Sequence, residues 1–394
     1  MPAYPAPAPD GRAEVMAALR QPVSGPALRR LVRRGQTVAI AVCDGTRPQP
    51  RRTVVPAILD ELEGTVRLDD VVVLVATGTH RANTDDELRD MLGDDVLRSV
   101  RVVNHDARAA GSLSWVGRLG NDVPVWLNSE WLSADVRITT GFVEPHFFAG
   151  FSGGPKLVAP GLAGLETTLT LHDASRIGHP EARWGIIDGN PVQDDVRAIA
   201  AATGVTFALD VVLDGAQRIV RAFGGDVLVM HAAACDKART IAMRPVRQPF
   251  DVVVTSNGGF PLDQNLYQSV KGMSAAAQVV KPGGTIVCLA ECRDGFPAHG
   301  PYRDELAAAP SPRELLETIT ARRATVADQW QVQVQASIMS WARVIVSTSY
   351  LSDAELAEAH LEQTHDPART VAEAGATARI CALPHGPMTV PYLA

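Results

Sequence analysis

Residues 139–161, TTGFVEPHFFAGFSGGPKLVAPG, bring together Glu144, Pro145 and His146, three phenylalanines (Phe147, Phe148, Phe151), a Ser–Gly–Gly turn and one lysine, Lys156. Few structural needs call for so many chemistries in one short span, so the stretch reads as an active-site loop anchored by its lysine. His146 lies between a proline and two phenylalanines, an apolar setting that favours neutral imidazole, the form a general base requires. Gly153 and Gly154 suit a tight turn, and beside a lysine they also offer backbone N–H groups to a phosphate. His172 closes the helical pattern GLAGLETTLTLH, either as a helix-terminal residue interacting with the dipole or as a metal ligand. No HExxH or CxxC pattern accompanies it, so a metal there would take its other donors from something besides side chains.

Two earlier polar sets have the same character. Asp44, Gly45, Thr46 and Arg47 follow the apolar run 37–43 (TVAIAVC), and Gly78, Thr79, His80 and Arg81 follow 71–77 (VVVLVAT). Taken singly, Asp44 and Thr46 read equally well as a cap for a helix near Pro48, Arg47 as a surface charge and His80 as a satisfied turn histidine. Together they say more. In open parallel sheets ligands bind beyond the carboxyl ends of the strands, and parallel pairing brings these two exits and that of the run 136–140, which leads to His146 and Lys156, to one edge. GPKLV lacks the order of a Walker A loop, and no GxGxxG follows the first strand, which argues against nicotinamide dinucleotide binding in the usual style.

The elements that must hold these residues alternate. Short helical stretches at 12–19 and 27–34 precede the run 37–43; a helix at 53–62 precedes the run 71–77; an acidic helix starts near 84. Further strands are expected at 100–104, 123–127 and 136–140, and helices at 162–172, 192–202 and 225–243. After RPVRQP (244–249) a second series begins, with strands at 251–255, 285–290, 344–348 and 378–383 and helices at 265–280, 312–322 and 329–341. Nearly continuous apolar strands between helices indicate parallel sheets buried on both faces. The expectation is two doubly wound α/β domains with the active site in the cleft between them: 1–245 for cofactor and catalysis, 250–384 closing over substrate, and a tail, 385–394, returning to the first domain.

At 394 residues two domains are the natural expectation. A net charge of −7 without a basic stripe argues against a nucleic-acid partner, and no apolar run is long enough to cross a membrane. The start, MPAYPAPAPDGRAEV, lacks the apolar core of a signal peptide and reads as a short disordered Pro/Ala lead. Five scattered cysteines with no CxxC pair indicate reduced thiols and a cytoplasmic location.

The ordered series Asp44–Pro48 (DGTRP), Ala76–Arg81 (ATGTHR), Glu144–Lys156 (EPHFFAGFSGGPK) and His172, with Tyr267, Gln268, Lys271 and the DQWQ segment around Trp330, resembles the lactate racemase family that uses a nickel-pincer nucleotide. The resemblance spans most of the chain. It implies an isomerase, a racemase or epimerase of 2-hydroxy acids. Lys156 would hold the cofactor through a thioamide link to its pyridine ring; two cofactor sulfurs and a ring carbon would bind nickel, with His172 as fourth ligand. Asp44, Gly45, Thr46 and Arg47 would line the cofactor site, Arg47 also reaching the substrate carboxylate. His80 and His146 would exchange the proton, and Tyr267, Gln268, Lys271 and Trp330 would contact substrate. The partners implied are the small hydroxy acid and, transiently, the enzymes that make the cofactor.

The chemistry is coherent. Racemising a 2-hydroxy acid by taking the Cα proton is hard, because carboxylate and hydroxyl stabilise a carbanion poorly; removing hydride leaves a stable 2-keto acid. No side chain accepts hydride reversibly, so a cofactor is required, and one base for each enantiomer takes the hydroxyl proton. Substrate identity stays open: lactate, malate, phenyllactate or a sugar acid share the carboxylate–hydroxyl unit these residues read. Rivals from other classes are a non-catalytic carboxylate- or nucleotide-binding protein and a conventional dehydrogenase.

Overall fold

The structure, a computed structural model, describes all residues except Met1, Ala3 and His299. The chain forms two compact units: an N-terminal unit of residues 4–171 and 186–241, and a C-terminal unit of residues 172–185 and 242–394.

Among the described residues, the N-terminal unit is built on a six-stranded sheet. Its strands are β1 (Val38–Cys43), β2 (Val71–Ala76), β3 (Arg101–Asn104), β6 (Val136–Phe142), β9 (Phe207–Leu213) and β10 (Ile219–Gly225); β4 (Leu113–Leu119) and β5 (Val123–Asn128) form a separate antiparallel hairpin. The spatial order is β10-β9-β6-β1-β2-β3, parallel except for the antiparallel β9–β10 edge. β1 (VAIAVC) is buried at every position and β2 (VVVLVA) at all but its last, as expected of β-branched strands covered on both faces. The chain runs outward from β1 through β2 to β3, then returns to lay β6 on the other side of β1. The topological switch point therefore lies between β1 and β6, where open α/β sheets bind ligands.

The C-terminal unit repeats the design. β12 (Phe250–Ser256), β13 (Val280–Leu289), β14 (Arg343–Ser347), β15 (Glu362–Gln363) and β16 (Ile380–Leu383) are all parallel in the order β15-β14-β13-β12-β16. The switch point falls between β12 and β16, and β12 leads into the helix Leu266–Ala277, whose N-cap is Asn265. Val253, Leu266, Val270, Ile286 and Val332 form part of its core.

The expected α/β architecture holds. The helices expected at 53–62, 192–202 and 225–243 form as Arg51–Leu62, Pro191–Thr203 and Val227–Ala242. β9, β10 and the hairpin strand β4 were not anticipated. β9 (FALDVVL) carries an aspartate in its middle and β4 (LSWVGRL) a charge and a glycine, both of which break an apolar pattern. The tail strand β17 (Val390–Leu393) pairs in parallel with β11 (Met243–Val246). Of the lead, positions 1 and 3 lie outside the described residues; its later part is tied down by the Ala8 N–H on the Ile219 carbonyl (2.9 Å) and by Asp10, which caps the helix Gly11–Arg20. Among the described residues, no helix is long and apolar enough to cross a membrane.

Candidate active site

The exits of β2, β1 and β6 are neighbours because those strands are. Asp44 is buried at the β1 exit. Its Oδ2 lies 2.7 Å from Nδ1 of His80, beyond β2, and its Oδ1 accepts from the Thr46 hydroxyl at 2.8 Å. Burial pushes the Asp44 pKa up, but the hydrogen bond and charge of His80, with help from Arg47 and Thr46, outweigh this and hold it below its ordinary value. An ionised carboxylate only accepts, so Nδ1 of His80 carries a proton and Nε2 is the atom left to exchange one.

The turn that carries Asp44 is held from behind. Arg51 Nη1 donates to the carbonyls of Asp44 and Arg47, at 3.1 Å each. Gln49 accepts from the Cys43 N–H and donates to Thr140 Oγ1, both at 2.8 Å, which ties the β1 exit to β6. A Cβ at Gly45 would come within 2.7 Å of Asn83 Nδ2, so the Asn83 side chain would have to move. Arg47 is half-buried on the same turn. Arg81, in the same motif as His80, has a structural partner instead, Glu87 at 2.6 Å, within the capping box that starts the helix Asp85–Leu92. The Arg81 hydrogen bond, with those of Thr84 and Asn83, holds the Glu87 carboxyl down to about 2.

Beyond β6, the short strands β7 (Pro145–His146) and β8 (Gly150–Phe151) pair antiparallel. His146 stacks on Phe147, with ring centroids 4.9 Å apart, and meets Phe148 edge-on at 4.5 Å. Its Nδ1 accepts the Ala149 N–H at 3.2 Å, so in the neutral ring the proton sits on Nε2. The two histidines are thus held differently: one donates through Nδ1 to a carboxylate, the other accepts through Nδ1 from an amide. Lys156 sits on the 3-10 turn Gly154–Leu157, its Nζ 5.8 Å from the Phe148 ring centroid, so lysine and His146 share one aromatic neighbour.

Under this turn lie two residues that the sequence reading missed. Asp210 of β9 is fully buried and its Oδ2 accepts the Gly154 N–H at 2.5 Å; burial pushes its pKa up to about 7 against hydrogen bonds from Gly154 and Gly141. His231, from the helix Val227–Ala242, lies 2.8 Å through Nε2 from the Ser152 carbonyl. A carbonyl only accepts, so Nε2 is protonated. Burial lowers the His231 pKa to about 4. An aspartate inside an otherwise apolar strand pattern was the one available signal.

The remaining predicted residues fall in the C-terminal unit. Tyr267, Gln268 and Lys271 occupy the first turns of Leu266–Ala277, where Asn265 caps the Gln268 N–H (3.1 Å) and Lys271 Nζ donates to Gln268 Oε1 (2.8 Å). Trp330, on the helix Gln329–Trp341, donates to the Tyr267 hydroxyl (3.2 Å), and its ring is 4.7 Å from that of His172. The helix Leu165–Leu171 stops one residue before His172, which occupies the turn ahead of Ala174–Ile177. The predicted residues therefore form one group per unit: Asp44 to Arg47, His80, His146 and Lys156 in the first; His172, Tyr267, Gln268, Lys271 and Trp330 in the second. Among the described residues, no group of three or more His, Cys, Asp or Glu could hold a metal ion.

Fold and residues together define a two-domain α/β protein with histidines gathered at the exits of parallel strands. Residues 1–185 match the lactate racemase N-terminal domain and residues 246–390 the lactate racemase C-terminal domain, and the chain belongs to the lactate racemase family. It is 37% identical over 336 residues to the lactate racemase of Thermoanaerobacterium thermosaccharolyticum, covering 85% of this chain and 78% of that one. It is 34% identical over 374 residues to the lactate racemase of Lactiplantibacillus plantarum, covering 93% and 88%. The solved lactate racemase apoprotein from T. thermosaccharolyticum superimposes with a TM-score of 0.92 at 32% identity, over 98% of this chain and 93% of that one.

Proposed function

We propose that the protein interconverts the enantiomers of a 2-hydroxy acid, with lactate as the first candidate, using a nickel-pincer nucleotide attached at Lys156. The observation that carries this reading is the convergence of His80, the Asp44–Arg47 turn, His146 and Lys156 on the exits of three adjacent parallel strands, at a switch point. Such a cofactor fits the donor set. Among the described residues no cluster of further side-chain ligands accompanies His172, and a pincer group brings its own remaining donors. When bound, it supplies the reversible hydride acceptor that no side chain provides.

The chain's own residues do the rest. His80 takes the hydroxyl proton at Nε2 from one enantiomer, and the Asp44 carboxylate stabilises the resulting imidazolium through Nδ1. His146 is the other member of the proton-exchanging pair, its neutral ring carrying the proton on Nε2. Gly45, Thr46 and Arg47 line the cofactor with Asp44, and Arg47 and Lys271 hold the substrate carboxylate so that the keto acid turns without escaping. Gln268, coupled to Lys271, and Tyr267 and Trp330 complete the substrate contacts. Residues 1–245 carry cofactor and proton transfer in this reading, and 250–384 supply substrate contacts. Five free thiols support work in the cytoplasm, and loading requires transient contact with the cofactor-making enzymes.

The test is a panel of single-enantiomer 2-hydroxy acids (lactate, malate, phenyllactate, a sugar acid) incubated with protein co-expressed with the cofactor-making enzymes and resolved by chiral chromatography. Interconversion of lactate supports the reading, and exclusive turnover of another acid moves the substrate assignment to it. Protein that carries nickel and the Lys156 adduct yet interconverts none of them is a binding protein, and the proposal fails.

A further inference from the structure

Lys156 sits two residues beyond a turn that is hydrogen-bonded from below at both ends. Asp210 Oδ2 takes the Gly154 N–H at 2.5 Å, and His231 Nε2–H donates to the Ser152 carbonyl at 2.8 Å. Between them Gly153 and Gly154 have φ +76° and +52°, and the Lys156 N–H closes on the Gly153 carbonyl at 3.2 Å. Three glycines enclose the pair without space for a side chain. A Cβ would come within 2.8 Å of Asp210 Oδ1 from Gly141, within 2.6 Å of Asp210 Oδ2 from Gly153, and within 2.4 Å of the His231 ring from Gly154.

Both polar residues are costly where they are. Asp210 is fully buried in the strand FALDVVL and His231 is buried on the helix Val227–Ala242, so each is desolvated where it meets the backbone of the turn. Neither touches an atom that the proposed reaction changes. Both touch the backbone that presents the lysine.

We propose that Asp210 and His231 are positioning residues for Lys156: a two-point clamp on residues 152–154 that holds the lysine where cofactor attachment can occur. The inference rests on the reading of Lys156 as the attachment point. A lysine on an unclamped Gly–Gly turn samples many orientations. Fixing the turn at both ends removes that freedom before the bond forms, and misplacement of a reacting group by about 1 Å can cost about a hundredfold in rate.

The test compares Asp210→Ala with Asp210→Asn, whose amide oxygen still accepts the Gly154 N–H, after co-expression with the cofactor-making enzymes. Intact mass reads the adduct on Lys156, and thermal melting reads the fold. The clamp predicts a loss of adduct of about tenfold or more in Asp210→Ala, with restoration in Asp210→Asn. Wild-type loading in Asp210→Ala overturns it, as does equal loss in both variants. A second readout needs no cofactor: acetic anhydride labelling of the unloaded protein, with Lys156 compared against Lys237 by peptide mass. Should the wild type carry no adduct at Lys156, the attachment reading fails, and labelling decides the clamp alone. A shifted Lys156 reactivity in Asp210→Ala that returns in Asp210→Asn sustains it, and unchanged reactivity overturns it. If Asp210→Ala does not fold, His231→Leu against His231→Gln, which keeps an N–H donor for Ser152, gives the same comparison with the same deciding outcomes.

Discussion

Asp44 Oδ2 lies 2.7 Å from His80 Nδ1, a contact between the exits of two adjacent parallel strands. It fixes which nitrogen of His80 is protonated, orients the ring and places a negative charge beside any imidazolium that forms. The expected consequence is kinetic. Asp44→Asn should lower kcat by about 10²–10⁴-fold, the range of a general base, and shift the acidic limb of the kcat/KM profile, with the Lys156 adduct retained. A variant that keeps wild-type kcat, or loses the adduct in parallel with activity, would take Asp44 out of this role.

Attachment and metal binding should separate. Lys156→Ala is expected to abolish the covalent adduct seen by intact mass. His172→Ala should lower nickel content, measured by plasma mass spectrometry, while leaving the organic adduct in place. An adduct that persists in Lys156→Ala rules out that lysine as the anchor.

Hydride transfer leaves an isotopic signature. Lactate deuterated at Cα should turn over with a primary isotope effect and give product that keeps the label, because the hydride returns to the same carbon. Exchange of the label into water would point to proton abstraction. Changing His80 or His146 to Ala, one at a time, should stop interconversion while the cofactor stays bound.

His231 makes a stability prediction with a definite sign. Burial lowers its pKa to about 4 from 6.5; the charges of Lys156 and Arg197 act the same way, and the Ser152 carbonyl opposes them. Between those values the unfolded chain binds the extra proton, so folded stability is present above 6.5 and is lost as pH falls toward 4. As pH falls through that window, the urea midpoint of the wild type should drop relative to that of His231→Gln, a difference from which the contribution of Asp210, shared by both, cancels. Asp210, raised to about 7 from 3.8, works in the opposite sense: its contribution is full below 3.8 and is lost as pH rises through 7.

Gly154→Ala should be costly for two reasons that add: φ is +52° and the new Cβ would sit 2.4 Å from the His231 ring. A loss of about 2 kcal/mol or more is expected from strain and displacement together, readable by urea denaturation. A variant as stable as the wild type would show that the turn has another conformation open to it.

Sequence alone determined the rhythm of the elements and which polar groups each strand exit offers. Apolar runs ending in polar turns marked β1, β2 and β6, and their exits carried Asp44, His80, His146 and Lys156, because strand periodicity and turn composition are properties of neighbouring residues. Tertiary structure decided who meets whom. Asp44 and His80 are 36 residues apart, Gly154 and Asp210 56, and Ser152 and His231 79. Each of these pairs exists only because parallel strands take a particular order and a helix packs beneath one turn. Arg81 follows His80 in the same polar strand exit, yet its partner is Glu87 at the start of the next helix. The segment 172–185 joins the C-terminal unit although it lies among N-terminal residues in the chain. Local pattern reports which groups a segment offers, while pairing across tens of residues depends on the topology that buries the most apolar strand surface, and no short window contains that information.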